Sequence, residues 1–188
     1  MDATAFREWI TEATRLVEEN ADHLTHLDAA IGDADHGINL SRGFRAAVTM
    51  LDDTNPETPG AVLTTVGRAL ISKTGGASGP LYGTGFRAAA KTLGEDPDVS
   101  PVQLGAALAA ALAGIRQLGA AEPGDKTMVD VLEPAVDAYQ AAVDTGADLS
   151  GAVAEGTGSR ARLRDLLSAE QLAAVSWAED AGPEPPGG

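Results

Sequence analysis

The thirteen residues from Leu27 to Asn39 concentrate most of the chemistry available to this chain. The segment Leu27-Asp28-Ala29-Ala30-Ile31-Gly32-Asp33-Ala34-Asp35-His36-Gly37-Ile38-Asn39 gathers three carboxylates, one imidazole and one carboxamide. Oxygen donors crowded at one turn suit a hard cation such as Mg²⁺. Gly32 and Gly37 allow the backbone to turn sharply or approach a ligand closely. The same residues would also make a solvated acidic turn between two helices, since short motifs recur by chance. The helical phase upstream bears on this choice. Phe6, Trp9, Ile10, Ala13, Leu16, Val17, Asn20, Leu24, Leu27 and Ile31 recur at i, i+3, i+4 spacing. They predict one helix face sustained for about seven turns. Asp28 then falls on or beside the inward face, where a carboxylate is costly to bury unless paired or bound to metal. Its local alternative is to cap the turn that follows the helix.

Two later stretches add possible walls. Ser72 to Phe86 carries five glycines between Gly75 and Gly85 and then runs into a helix opened by Pro80. Glycine-rich backbone leading into a helix N-terminus makes a phosphate cradle, and it equally marks a place where two helices cross closely. Gly119 to Met128 interrupts the next helix with Gly124-Asp125-Lys126-Thr127. This is one inserted residue away from the P-loop pattern, but no strand precedes it, so the Walker-type reading fails and a helix–helix connector remains.

The elements that must position these groups all read as helices. After Gly37 a second stripe runs through Leu40, Phe44, Ala47, Val48 and Leu51, placing His36 to Asn39 at a helix N-terminus, which favours anions. Thr58-Pro59 reads as N-cap and first helical residue of a helix carrying Val62, Leu63, Val66, Leu70 and Ile71. Ser100-Pro101-Val102-Gln103 is a capping box that opens a helix with Leu104, Leu108, Leu112, Ile115 and Leu118 on one face. Val131 to Val143 forms the next, with Pro134 expected to kink it or sit in its first turn. From Gly146 onward Gly151, Gly156 and Gly158 weaken any helix, Ser168 to Gln171 is a second capping box, and 181–188 reads as a disordered tail. No alternating strand pattern is present. The expected class is all-α, with helices of roughly 12–18 residues after the long first one and antiparallel neighbours joined by short loops.

Composition narrows the partners. The chain has 188 residues and a net charge of −15, which argues against nucleic acid or an anionic membrane as a partner. An acidic protein that binds a phosphate compound needs cations to screen the two. With no cysteine, disulfides and thiolate metal sites are excluded. No signal-peptide pattern or long unbroken apolar run is evident, so a soluble, cytoplasmic protein is expected.

Three blocks taken together carry a family resemblance. They are Leu27 to Asn39 with Arg42-Gly43-Phe44, then Gly75 to Thr84 with Phe86, then Gly124-Asp125-Lys126-Thr127-Met128 with Asp130. In content and order they resemble the nucleotide-binding L subunit of dihydroxyacetone kinase, over roughly Phe6 to Val143. The resemblance implies one domain over 1–180, an up-and-down antiparallel barrel of about eight helices holding ADP (or ATP) at one end with two Mg²⁺. It implies Asp28, Asp33 and Asp35 as metal ligands. It places His36, Gly37, Ile38, Asn39, Ala77 and Ser78 at the phosphates, and Gly119 and Met128 at the adenine and ribose end. Three carboxylates and a diphosphate of about −3 sum to about −6, which two Mg²⁺ reduce to about −2.

The resemblance also implies partners. In one branch of the family a phosphohistidine phosphotransferase subunit recharges the bound ADP. The phosphate then passes to dihydroxyacetone on a dihydroxyacetone-binding kinase subunit. Acceptor and base come from that partner, so no catalytic residue on this chain is named, and room is left for a homodimer. Two alternatives are an ATP-using kinase subunit for another small ketose or polyol, and a non-catalytic nucleotide-binding regulator. Past about Gly158 the chain departs from the family pattern: Arg160, Arg162 and Arg164 stand where a Gly-Arg-Ala-Ser-Tyr segment is usual. No residue after Met128 is therefore carried over.

Overall fold

The computed structural model describes residues 1–30 and 32–156, and all of the regular structure there is helical. In chain order the helices are α1 (Ala3–Glu19), α2 (Ala21–Asp28), α3 (His36–Thr54), α4 (Pro59–Lys73), α5 (Ser78–Leu93), α6 (Pro101–Gly119) and α7 (Val129–Asp144). A further helical stretch, α8, covers 149–156 at the edge of the described residues. The predicted starts are found where the caps place them. Thr58 accepts from Ala61 N–H at 3.2 Å, and Ser100 and Gln103 cap one another's backbone at 3.3 and 3.0 Å. The second capping box and the tail lie outside the described residues.

The long first helix is in fact two. Asn20 leaves the helical region at φ −104°, ψ 8°, and its side-chain amide donates to the Leu16 carbonyl at 2.8 Å. A short amide that bonds its own backbone competes with the helical ladder, and here it ends α1. The apolar spacing continued across the break, but Leu16 and Leu27 remain 46% and 40% exposed, so the stripe is not one buried face. Other boundaries also move. α5 begins at Ser78 rather than at Pro80, Pro134 sits in the second turn of α7, and the glycine-bearing stretch after Gly146 does form a helix. In that helix Gly156 is buried, its α-carbon face turned to the Ala135 carbonyl and the Tyr139 ring.

Contacts at small residues fix the topology. Gly43 lies against Leu70 and Thr74, Gly67 against Gly83 and Arg87, Gly85 against Ala111 and Ile115, and Gly105 against Tyr139 and Gln140. Further contacts at Asn39–Gly75, Gly60–Gly94, Leu81–Gly119 and Arg116–Glu133 show that in each pair one number rises as the other falls, so α3 to α7 run up and down as antiparallel neighbours. α1 packs against α3 and α4. Arg7 at its start reaches the Leu51 carbonyl and Asp52, while Glu18 at its end pairs with Arg45. Phe6, Trp9, Phe86 and Phe44 form a string of ring contacts at 5.9, 6.1 and 6.5 Å that ties α1, α5 and α3. Phe44 and Phe86 are thus core residues. α6 is apolar enough over its 19 residues to pass for a membrane span by length and composition; it pairs with α5 and α7 and carries Arg116, which binds Glu133 of α7.

Alternation has a consequence for function. The α2–α3, α4–α5 and α6–α7 connections fall at one end of the bundle, and 55–58 and 94–100 fall at the other. The three sequence blocks are those three connections.

α4 and α5 approach so closely that a β-carbon at Gly83 would sit 2.4 Å from Ile71 Cγ1 and 2.7 Å from the Gly67 carbonyl. Helix propensity alone would make Gly83→Ala stabilising by about 1 kcal/mol. Overpacking against backbone should reverse the sign and cost about 1–3 kcal/mol in urea unfolding.

Candidate functional site

Asp28 is the last residue of α2, half-buried, and its carboxylate turns toward the loop that follows. Its backbone carbonyl accepts from Gly32 N–H at 2.6 Å, and its Oδ2 accepts from Asp35 N–H at 3.1 Å. It therefore does cap the turn, and it does not point into the apolar core, since α2 has no fully buried residue. Gly32 is required there: a β-carbon would lie 2.1 Å from Asp28 Oδ1. Ala34 takes the left-handed conformation at φ 59°, which a non-glycine residue adopts at a cost. That turn sets Asp33 and Asp35 on either side of it facing Asp28. One oxygen from each of the three carboxylates lies within 4.8 Å of the other two.

Such crowding is electrostatically unfavourable without a counter-ion. Asp33 is held above the usual carboxylate range, first by a hydrogen bond with the Asp35 carboxyl, then by repulsion from the Asp35 charge, with a smaller contribution from Asp28. A trio of oxygen donors whose mutual repulsion disfavours full ionisation is chemically suited to a hard divalent cation, which would offset that repulsion.

The other predicted residues are brought to the same end. His36 opens α3, with Gly37 buried against the Ala21 carbonyl and Thr25, and Ile38 61% exposed. Asn39 is buried, and its side chain meets the backbone of Gly75 so closely that a β-carbon there would lie 2.6 Å from its Oδ1. Arg42, to which no role had been given, donates to Asn39 Oδ1 at 2.7 Å and to the Lys73 carbonyl at 2.8 Å. It ties the start of α3 to the end of α4; its signals in the sequence were its place in the first block and its spacing of one helical turn from Asn39. Ala77 precedes α5 and Ser78 begins it, the Ser78 hydroxyl donating to the Gly75 carbonyl at 3.2 Å. Gly119 ends α6 beside Leu81 of α5. Met128 stands before α7, half-buried.

The glycine-rich stretch resolves into both of its readings. Gly75 and Gly76 form the connection beside Asn39, whereas Gly79, Gly83 and Gly85 lie inside α5 where α4 and α6 cross it. The third block is a connector, as expected, and Asp130 holds it. The Asp130 carboxylate accepts from Gly124 N–H at 2.5 Å and Thr127 N–H at 2.8 Å, which holds it below the usual carboxylate range.

The chain has relatives among known proteins. The DAK2 domain model matches residues 30–168. The chain belongs to the DAK2-domain family. The ADP-binding subunit DhaL of a PEP-dependent dihydroxyacetone kinase 1 from Listeria innocua is 40% identical over 130 residues, covering 69% of this chain and 65% of that protein. Its counterpart from Escherichia coli is 38% identical over 140 residues, covering 74% and 67%. This DAK2-domain chain therefore spans about two thirds of the length of those relatives. The structure of the dihydroxyacetone kinase from C. freundii in complex with AMP-PNP and Mg²⁺ superposes with a TM-score of 0.65 at 25% identity, over 95% of this chain and 34% of that one. The all-α DAK2 fold is thus established for this chain.

Two outcomes follow from the carboxylates. Asp33 binds its proton more tightly folded than unfolded, so the metal-free protein should lose stability as pH rises from the ordinary carboxylate range through the raised Asp33 value. Saturating Mg²⁺ should abolish that loss in thermal melts across this window. Asp130 has the opposite sense: its contribution is present at neutral pH and lost as pH falls through its lowered folded-state value. Asp130→Ala should lower stability at neutral pH by about 1 kcal/mol, the usual worth of a backbone-capping side chain, in urea titrations.

Proposed function

We propose that this chain is the nucleotide-carrying subunit of a dihydroxyacetone-type kinase. The observation that carries the reading is the convergence at one bundle end of the Asp28, Asp33 and Asp35 oxygens with the Asn39–Gly75 contact and the Gly119–Leu81 contact. In this reading the three carboxylates hold two Mg²⁺, whose charge screens an ADP diphosphate from an acidic protein and from the carboxylates themselves. The start of α3, through the backbone N–H groups of His36, Gly37 and Ile38 and the side chain of Asn39, and the backbone of Ala77 and Ser78 at the start of α5 would face the phosphates, as helix N-termini do. Gly119, which carries no side chain, and Met128, a flexible apolar one, line the adenine and ribose end. Arg42 acts by position: it fixes the Asn39 amide and covers the last carbonyl of α4, that of Lys73.

The chemistry asked of the chain is small. Phosphoryl transfer is catalysed mostly by alignment and charge neutralisation, so a rigid cradle suffices, and the acceptor alcohol with its base belongs to a dihydroxyacetone-binding partner subunit. A phosphohistidine phosphotransferase subunit would restore the phosphate to the retained nucleotide, in the cytoplasm. Names of relatives such as the Escherichia coli ADP-binding subunit support this reading.

The test is thermal unfolding with ADP, with and without Mg²⁺. A ligand at a hundred times its Kd stabilises by about 2.7 kcal/mol, and a shift of several degrees should appear only with Mg²⁺ and vanish in Asp33→Asn. An unshifted wild-type melt would remove the nucleotide reading. Retention of labelled ADP through turnover with the partner subunits distinguishes a carrier from a subunit that exchanges ATP.

A further inference from the structure

A groove of about 730 Å³ runs along α4, α5 and α6 on the side away from their buried stripes. α4 gives it Ala61, Thr64, Thr65 and Arg68, and α5 gives Thr84, Arg87, Ala88 and Lys91. Both sets have i, i+3, i+4, i+7 spacing, so two complete helix faces form its walls. Gly114 and Gln117 of α6 close the third side.

Its charge is the reverse of the chain's. The protein has 28 acidic against 13 basic residues, yet three cations and a single carboxylate, Glu95, line the groove. Among the described residues the ion pairs use Arg7, Arg15, Arg45 and Arg116, and none uses Arg68, Arg87 or Lys91. All three are exposed. In so acidic a chain, cations held apart from carboxylates on one concave surface leave an anionic counterpart to be supplied from outside.

We propose that this groove is a docking surface for an acidic segment of a partner protein. The exposure of the cationic heads favours a macromolecular surface over a small ligand, which would be mostly enclosed. The net charge of −15 repels extended polyanions such as nucleic acid or an anionic membrane at long range, while a short segment with a few carboxylates meets only the local positive field. Small residues between the cations let that segment approach closely. The groove starts at Gly60, Gly94 and Glu95, at the end of the bundle opposite the candidate site, and extends along the helices as far as Gln117. The docking surface stands apart from the nucleotide reading and does not rest on it.

An octaglutamate peptide titrated at low salt into isotope-labelled protein, followed by amide chemical shifts, tests this. Shifts should cluster at 61–68 and 84–91. The triple variant Arg68→Gln, Arg87→Gln, Lys91→Gln should bind about tenfold more weakly, and raised salt should weaken the wild type similarly. The double variant Arg15→Gln, Arg45→Gln, which removes charge elsewhere, should bind as wild type does. Equal weakening by both variants, shifts outside the groove, or no binding would each overturn the proposal. Tighter binding of tripolyphosphate at the same residues would assign the groove to a small phosphate ester, and capture by phosphatidylserine vesicles would assign it to a membrane. Should the triple variant not fold, Lys91→Gln alone, with its exposed head, carries the same comparison.

Discussion

The contact between the backbones of α4 and α5 sets the dimensions of everything else. With Gly67 and Gly83 at the crossing, the two backbones approach closely under the Ile71 and Arg87 side chains, and α3 and α6 then pack on either side. Because those packings are antiparallel, alternate connections land together. A cluster of carboxylates on one connection, a glycine turn on the next and a capped loop on the third become neighbours although up to about a hundred residues separate them. Any widening at the α4–α5 crossing would be felt as a shift of Gly75 relative to Asn39, the place where the first two connections touch.

At that end, the polypeptide spends backbone freedom to place charge. The left-handed Ala34, the obligatory Gly32 and the Asp28–Asp35 hydrogen bond are local devices that force like charges together. None of them stabilises an isolated turn as well as a relaxed one would. A conformation that raises repulsion and is nevertheless built by several independent contacts makes sense where a cation is part of the working state. The family membership and the superposition on a nucleotide- and Mg²⁺-containing neighbour are in keeping with this.

The helical class, the starts of α4 and α6 and the inner faces of α3 and α4 could be read directly from spacing and caps, because each rests on residues within two turns of one another. The break at Asn20 could not, because the apolar spacing is in register on both sides of it. Only the amide's bond to the Leu16 carbonyl distinguishes a break from a helical Asn. The glycine-rich stretch was ambiguous for a related reason: glycine serves a tight turn and a helix crossing alike, and which glycine does which depends on partners at Gly67, Ile71 and Ile115 far along the chain. Asp28 was legible as an unusual carboxylate, but its direction was not, since the helix ends at that residue and the inward phase no longer applies. The juxtaposition of Asp33 and Asp35 with Asp28 rests on a left-handed alanine that no propensity would assign.

Arg42 gives the bundle end an electrical asymmetry. α3, α5 and α7 begin there, and α2, α4 and α6 end there, so the backbone dipoles of alternating helices would largely cancel. By covering the Lys73 carbonyl with a guanidinium, Arg42 offsets part of the negative pole of α4. One side chain thereby tips the balance of helix ends toward their positive poles, beside the loop that carries three carboxylates.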